Sequence, residues 1–172
     1  MAFRRERKRD YFVRRSEIRS TLAEIRDTIP GCKSLKNDEL VSLLGAALTY
    51  EKRRRSGDLD KGVKSKWGEE LLTIIPSSVK AILGRGTFSV TVGFSSFVAH
   101  YLPILKFPQD VVEALEGGDI SLFEAEQLIR LNAKNLGLSE ESRADQKIAD
   151  KLRHRVMVSH FKSINSTTTA LR

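Results

Sequence analysis

The chain has 172 residues, 40% hydrophobic and 30% charged, with 30 lysines and arginines against 22 aspartates and glutamates. This composition supports a hydrophobic core and excludes a wholly disordered chain. The single cysteine, Cys32, excludes a disulfide framework and a multi-thiolate metal site, and the net charge of +8 indicates a polyanionic partner such as nucleic acid. No apolar run approaches the roughly 18 residues that span a bilayer. Residues 1–9 are not followed by the apolar stretch of a secretory signal. We therefore expect a cytoplasmic, nucleoid-associated protein with no membrane partner.

The charge is segregated along the chain. Residues 1–15, 52–66 and 147–172 each carry a net charge of +5, whereas residues 107–146 carry −6. Basic runs can be solvated helix ends, but three of them in a short chain favour contact with a phosphate backbone. The acidic stretch suits a protein partner instead.

In chain order, the spacing of apolar residues predicts helices nearly throughout. The first covers residues 16–29 and ends at Pro30-Gly31, and the second covers residues 38–55 with Asn37 as its N-cap. Residues 56–65 (SGDLDKGVKS) are polar and predict the internal boundary of the chain. The second helix carries an apolar stripe wider than one neighbour needs, so we expect the pair to form a dimer interface. The stripe consists of Leu40, Leu43, Leu44, Ala47 and Leu48.

The second half of the chain repeats the helical pattern in shorter pieces. Pro76 predicts a break between the first two, Ser121 and Glu124 form a capping box, and Ser139 is positioned to cap the last. The stretch 87–92 (TFSVTV) permits a strand, but helix or turn is favoured because a lone strand has no partner. The predicted helices cover residues 67–75, 77–83, 95–106, 108–116, 121–135 and 139–162. Residues 163–172 are expected to be a disordered tail.

Residues 93–131 form one unit in this pattern: a serine pair opens a helix, and a Leu-Lys-Phe-Pro corner, a short helix, a glycine turn and a capped helix follow. This order resembles the helix-turn-helix core of the ParB/KorB family of DNA-binding proteins, with the corner at residues 102–108 and the Gly-Asp-Ile-Ser turn at residues 118–121. The resemblance implies a preceding scanning helix at roughly residues 77–92, operator binding and a homodimer. The chain departs from the family at Glu124 and Glu126, where the family motif is basic, and it lacks the amino-terminal CTP-binding boxes. No cofactor is expected.

The resemblance places a recognition helix after the serine pair. Ser95 or Ser96 is positioned to cap it, and the early residues of such a helix read base edges in the major groove. Serine and histidine exchange hydrogen bonds with bases, and alanine contacts the thymine methyl group. The predicted base-reading residues are Thr91, Ser95, Ser96, Ala99 and His100. The alternatives are capping alone for Ser95 and a core contact for His100, while Phe97, Val98, Tyr101, Leu102 and Leu105 are expected in the core.

Phosphate contacts are assigned to cations on either side of this helix and to the amino-terminal arm, since such arms order on DNA and enter the minor groove. The predicted contacts are Lys80, Arg85, Lys106, Arg130 and Lys134, together with Arg4, Arg5, Arg7, Lys8 and Arg9. Residues 52–55 are outlying contributors. For Arg130 and Lys134 the alternative is a solvated pair one helical turn apart.

These patterns predict an all-α protein with a basic arm (1–15), a helical pair (16–55), a helix-turn-helix domain (66–162) and a disordered tail (163–172). The expected function is sequence-specific binding of double-stranded DNA in transcription control or plasmid maintenance. Histidine spacing, phosphate-loop motifs and nucleophile patterns point to no metal, cofactor or catalytic site. Two other functions stay open: an adaptor that uses the acidic face 107–146, and a non-specific nucleic-acid-binding protein.

Overall fold

The computed structural model describes residues 14–58, 65–86 and 92–170, with side chains up to residue 159. Within these residues the chain is all-α, as predicted, with seven α-helices, one π-helical turn, one 3₁₀ segment and no strand. The α-helices are α1 (Arg15–Thr28), α2 (Asn37–Ser56), α3 (Glu69–Leu83), α4 (Phe94–Ser96), α5 (Gln109–Glu116), α6 (Leu122–Leu128) and α7 (Arg143–Ala170). The π turn, Phe97–Tyr101, and the 3₁₀ segment, Leu102–Lys106, continue α4. None of the helices in this part of the chain has the length and apolarity that crossing a bilayer requires.

The chain divides into two compact units, Met1–Lys106 (unit 1) and Phe107–Arg172 (unit 2). This division differs from the predicted domains. Helices α2 and α3 flank the polar connection of residues 56–65, yet they pack against each other within unit 1. The Tyr50 hydroxyl on α2 also donates a hydrogen bond to Glu69 Oε1 on α3, at 2.6 Å. The helix-turn-helix range, 66–162, is divided between the two units.

The leucines of α2 fill the core of unit 1. Leu40, Leu43 and Leu44 are fully buried, as is Ala47, and α2 packs on α1, on α3 and on the π turn. Burying one such leucine contributes about 1.5–3 kcal/mol to folding. The predicted stripe is therefore real, but its use as a dimer face was wrong, because neighbouring helices of the same unit already cover it.

Helix α3 passes through Pro76 without a break, so the predicted pair of helices is one helix. Proline removes a helical N–H and crowds the preceding turn, at a cost of about 3 kcal/mol. Ile75, Val79 and Ile82 are buried along one side of α3. Packing of this side, on both sides of the proline, offsets the cost and keeps the helix continuous.

In unit 2 the capping box predicted at the start of α6 is confirmed. The Ser121 N–H donates to Glu124 Oε2 at 2.6 Å, and the Glu124 N–H donates to Ser121 Oγ at 3.2 Å. Helix α6 ends at Leu128 rather than near residue 135. Beyond it, the side-chain amides of Asn132 and Asn135 donate to the carbonyls of Ile129 and Arg130, and such bonds compete with helix formation.

Two other predicted caps are displaced. Asn37 is the first residue of α2, and Lys36 is its N-cap. At the start of α7, the Asp145 N–H donates to Ser142 Oγ at 3.3 Å, so Ser142 takes the role predicted for Ser139. Helix α7 continues to Ala170, so the prediction of a disordered tail from residue 163 was wrong up to that residue.

Candidate nucleic-acid interface

The predicted recognition helix is an irregular helix in unit 1. It begins as α4, with Gly93 as N-cap and a hydrogen bond of 2.9 Å from the Phe97 N–H to the Gly93 carbonyl. It widens into the π turn and then tightens into the 3₁₀ segment that contains Pro103. Regular winding is lost before Pro103, as expected of a residue without a backbone N–H. Short π turns within helices often occur at functional sites.

The two sides of this segment differ sharply in exposure. Phe94 and Phe97 are buried, whereas the four candidates in its first two turns are all exposed. Residues three to four apart share a side of a helix, so these candidates form one surface. We call this surface the α4 face; it consists of Ser95, Ser96, Ala99 and His100.

The structure corrects one role and decides one alternative on the α4 face. Neither serine is the N-cap, because Gly93 occupies that position and no side chain caps the helix. Both hydroxyls therefore point away from the helix end that they were expected to satisfy. His100 is exposed, so the alternative of a core contact is excluded. Among the expected core residues, Phe97 and Leu102 are buried, whereas Val98, Tyr101 and Leu105 are half-buried.

Unit 1 holds the α4 face from several sides. The segment that carries it packs on α1, α2 and α3. At its far end, Arg15 Nε donates to the Ile104 carbonyl at 3.1 Å. Arg15 had been assigned to the flexible basic arm, but it is the first residue of α1 and supports the recognition segment. The arm is therefore shorter than predicted, and its five cations between residues 4 and 9 lie outside the described residues, as does Thr91.

The predicted phosphate contacts are distributed over both units. Lys80, Arg85 and Lys106 are exposed in unit 1. Arg85 also forms an ion pair of 3.3 Å with Glu24, which partly neutralises its charge. In unit 2, Arg130 and Lys134 are exposed but lie in the turns after α6. The predicted pairing of these two cations along a helix was therefore wrong.

A denser group of cations lies at the carboxyl end of α2. Residues 52–55, the lysine and three arginines of that end, are all exposed, and α2 ends at Gly57, whose φ is +74°. Arg55 forms an ion pair with Glu51 at 2.6 Å. Cations at this end of a helix complement the helix dipole, and the same four charges provide a positive surface on unit 1.

Sequence reasoning missed the role of Arg153, which it counted as part of a basic surface. Arg153 is only 4% exposed, and its guanidinium donates to both carboxylate oxygens of Asp110 at 3.1 Å and to Asp150 Oδ1 at 2.7 Å. Burial alone lowers the pKa of Arg153, but the hydrogen bonds and charges of the two aspartates outweigh it and raise the pKa above its ordinary value. The available signal was spacing, because Arg153 lies four residues from each of the buried Ala149 and Met157.

Unit 2 also contains a groove of about 710 Å³ beside this ion pair. Besides Asp110, Asp150 and Arg153, its lining consists of Pro108, Gln109, Lys151, His154 and Arg155. Sites for small molecules are mostly apolar with a few polar groups. This charged lining does not have that character. In the described part of the chain, no three His, Cys, Asp or Glu residues are grouped to hold a metal ion.

Comparison with known proteins found no matching family model, no matching curated protein and no matching solved structure.

Proposed function

We propose that this protein binds double-stranded DNA sequence-specifically, and that the α4 face reads base edges in the major groove. The observation that carries the proposal is the one-sided exposure of this face. Its four residues are small or polar and accessible, while Phe94 and Phe97 anchor the opposite side in the core. A helix anchored in this way presents its side chains at a fixed angle, which base readout requires.

The residue types suit this role. Serine and histidine side chains exchange hydrogen bonds with base edges, and the Ala99 methyl group suits contact with a thymine methyl. Lys106, Lys80 and the cations at the end of α2 supply charge for phosphate contacts, which position the protein without selecting sequence. The net charge of +8 agrees with a polyanionic partner.

The resemblance of residues 93–131 to the ParB/KorB core favours an operator-binding role in transcription control or plasmid maintenance and partition. Such a protein would act at the nucleoid or on a plasmid in the cytoplasm. The described residues carry no arrangement that favours catalysis over binding. The non-specific alternative, in which the basic runs alone hold nucleic acid, differs in one measurable respect: it predicts no preferred sequence.

The test begins with selection of bound fragments from random duplex DNA, followed by sequencing. A shared motif is expected, and its absence would favour the non-specific alternative. Ser96→Ala and His100→Ala should each then lose about 1–3 kcal/mol of discrimination at one base position. Ser20→Ala on α1 and His154→Ala on α7 are matched controls, because both residues are exposed and lie outside the α4 face. If the α4-face variants bind the selected site like the parent, this face does not read DNA.

A further inference from the structure

Helix α7 exposes a stripe of large apolar side chains. Ile148, Leu152 and Val156 are 53%, 38% and 42% exposed and follow one another at four-residue intervals, so they lie along one side of the helix. The helix buries a different side, formed by Ala149, Arg153 and Met157. Helix α7 therefore has two non-polar sides and uses only one of them within unit 2.

Three cations border this stripe. Lys147, Lys151 and Arg155 are exposed and also recur every four residues along α7. A surface of this kind binds best to one that combines an apolar anchor with negative charge, because oppositely charged borders align the two surfaces and exclude other partners. A second α7 does not offer this, since two such stripes in contact would bring cations against cations.

A complementary surface lies elsewhere in unit 2. Phe123 on α6 is 68% exposed, the largest exposure among the large hydrophobic side chains of the described residues. Along the neighbouring end of α5 and the glycine turn, Glu113, Glu116 and Asp119 are exposed. We call this the acidic edge. It combines one aromatic anchor with three carboxylates, in the same number as the cations beside the α7 stripe.

We propose that two copies of the chain associate through unit 2, with the α7 stripe of one copy packed on Phe123 and the acidic edge of the other. In a two-fold pair each copy contributes both surfaces, so the contact is made twice. Each apolar surface is thereby covered, and each set of charges meets its opposite. This inference does not rest on DNA binding, and it gives the acidic stretch of the chain a definite occupant.

The first test measures mass in solution. At tens of micromolar and low salt, light scattering on the full-length protein should give twice the chain mass of 19.4 kDa. Leu152→Glu should give the mass of one chain. Ile74→Glu on α3 is a matched control, because Ile74 is also 38% exposed but lies in unit 1. A monomeric parent, or equal loss of dimer in both variants, would overturn the proposal.

The second test exchanges charges between the two surfaces. Lys147→Glu with Lys151→Glu, and separately Glu116→Lys with Asp119→Lys, should each weaken the dimer by at least about tenfold, because each places like charges across both contacts. Mixing the two proteins should restore the dimer. In the mixed pair one contact has the parent charges and the other has both charges reversed, so both are attractive. Circular dichroism checks that each variant keeps the helical content of the parent.

Restoration on mixing is the decisive result, since neither altered folding nor a general change in net charge would produce it. If the mixture stays monomeric while the parent is dimeric, the dimer uses other surfaces and the proposal is wrong. If the parent is a monomer in solution but its α7 variants lose binding to anionic lipid vesicles, the stripe serves a membrane surface instead and the proposal is likewise overturned.

Discussion

Arg153 on α7 and Asp110 on α5 form a two-pronged ion pair, with both of its N···O distances 3.1 Å. The two residues are 43 positions apart in the chain. A planar guanidinium matches a carboxylate in this geometry, and the pairing adds directional preference to its energy. The pair therefore fixes α7 on α5 within unit 2. Leu131 contributes its carbonyl oxygen to the same guanidinium at 3.4 Å.

Removing Asp110 should cost more stability than removing the other carboxylate bound to Arg153. Asp110→Ala leaves a buried guanidinium with one partner fewer, and we expect a loss of about 3 kcal/mol. Asp150→Ala should cost less than about 1 kcal/mol, because the Asp150 side chain is 61% exposed. Urea unfolding of both variants measures the difference. Equal losses would mean that Arg153 does not depend on Asp110.

Leu44 should behave as a core residue of unit 1. Its side chain is fully buried, so Leu44→Ala should lower the free energy of unfolding by about 2–5 kcal/mol. Chemical denaturation gives the value, and Ile74→Ala, on the exposed side of α3, is the control that should change it little. Were Leu44 part of a dimer interface, its truncation would instead make the stability depend on protein concentration.

Cys32 should make the stability of the protein sensitive to alkaline pH. Burial raises the pKa of the Cys32 thiol above its ordinary value of 9.0. The folded state then keeps its proton to higher pH than the unfolded state. This contribution is fully present below about pH 9 and is lost as the pH rises through the pKa of the folded state. Unfolding at pH 8 and pH 10 should show the advantage of the parent over Cys32→Ala shrinking at pH 10, whereas a constant advantage would contradict the raised pKa.

Deleting residues 2–13 should weaken DNA binding without changing sequence preference. The segment contains five arginines and lysines against two acidic residues. Each lost phosphate contact reduces the slope of log affinity against log salt by about 0.9. The deletion ends before Arg15, because Arg15 bonds to the Ile104 carbonyl. Affinity measured at several salt concentrations tests this, and a large fall in melting temperature would show that the arm is part of the fold.

The apolar periodicity was sufficient to predict the helical class and the capping box at Ser121. It failed where tertiary contacts override local preference. Pro76 looks like a helix end in isolation, but buried residues on both sides of it keep α3 continuous. Asn132 and Asn135 end α6 through local hydrogen bonds that apolar spacing does not register.

The candidate site was predictable in position but not in detail. Spacing alone placed Ser95, Ser96, Ala99 and His100 together, and all four are exposed. Spacing could not show that Gly93 precedes them as N-cap. Nor could a count of charges separate Arg153, which is internal, from the exposed cations around it. That distinction depends on Asp110, which is distant in sequence.

The alternation of buried and exposed residues along Phe94–Tyr101 makes unit 1 open to reprogramming. Phe94 and Phe97 belong to the interior, whereas the four residues of the α4 face contribute little to it. A library randomised at these four positions would vary the chemistry of the surface while leaving the hydrophobic core unchanged. New binding preferences can therefore arise by substitution here without loss of the fold, both under laboratory selection and in the natural divergence of such proteins.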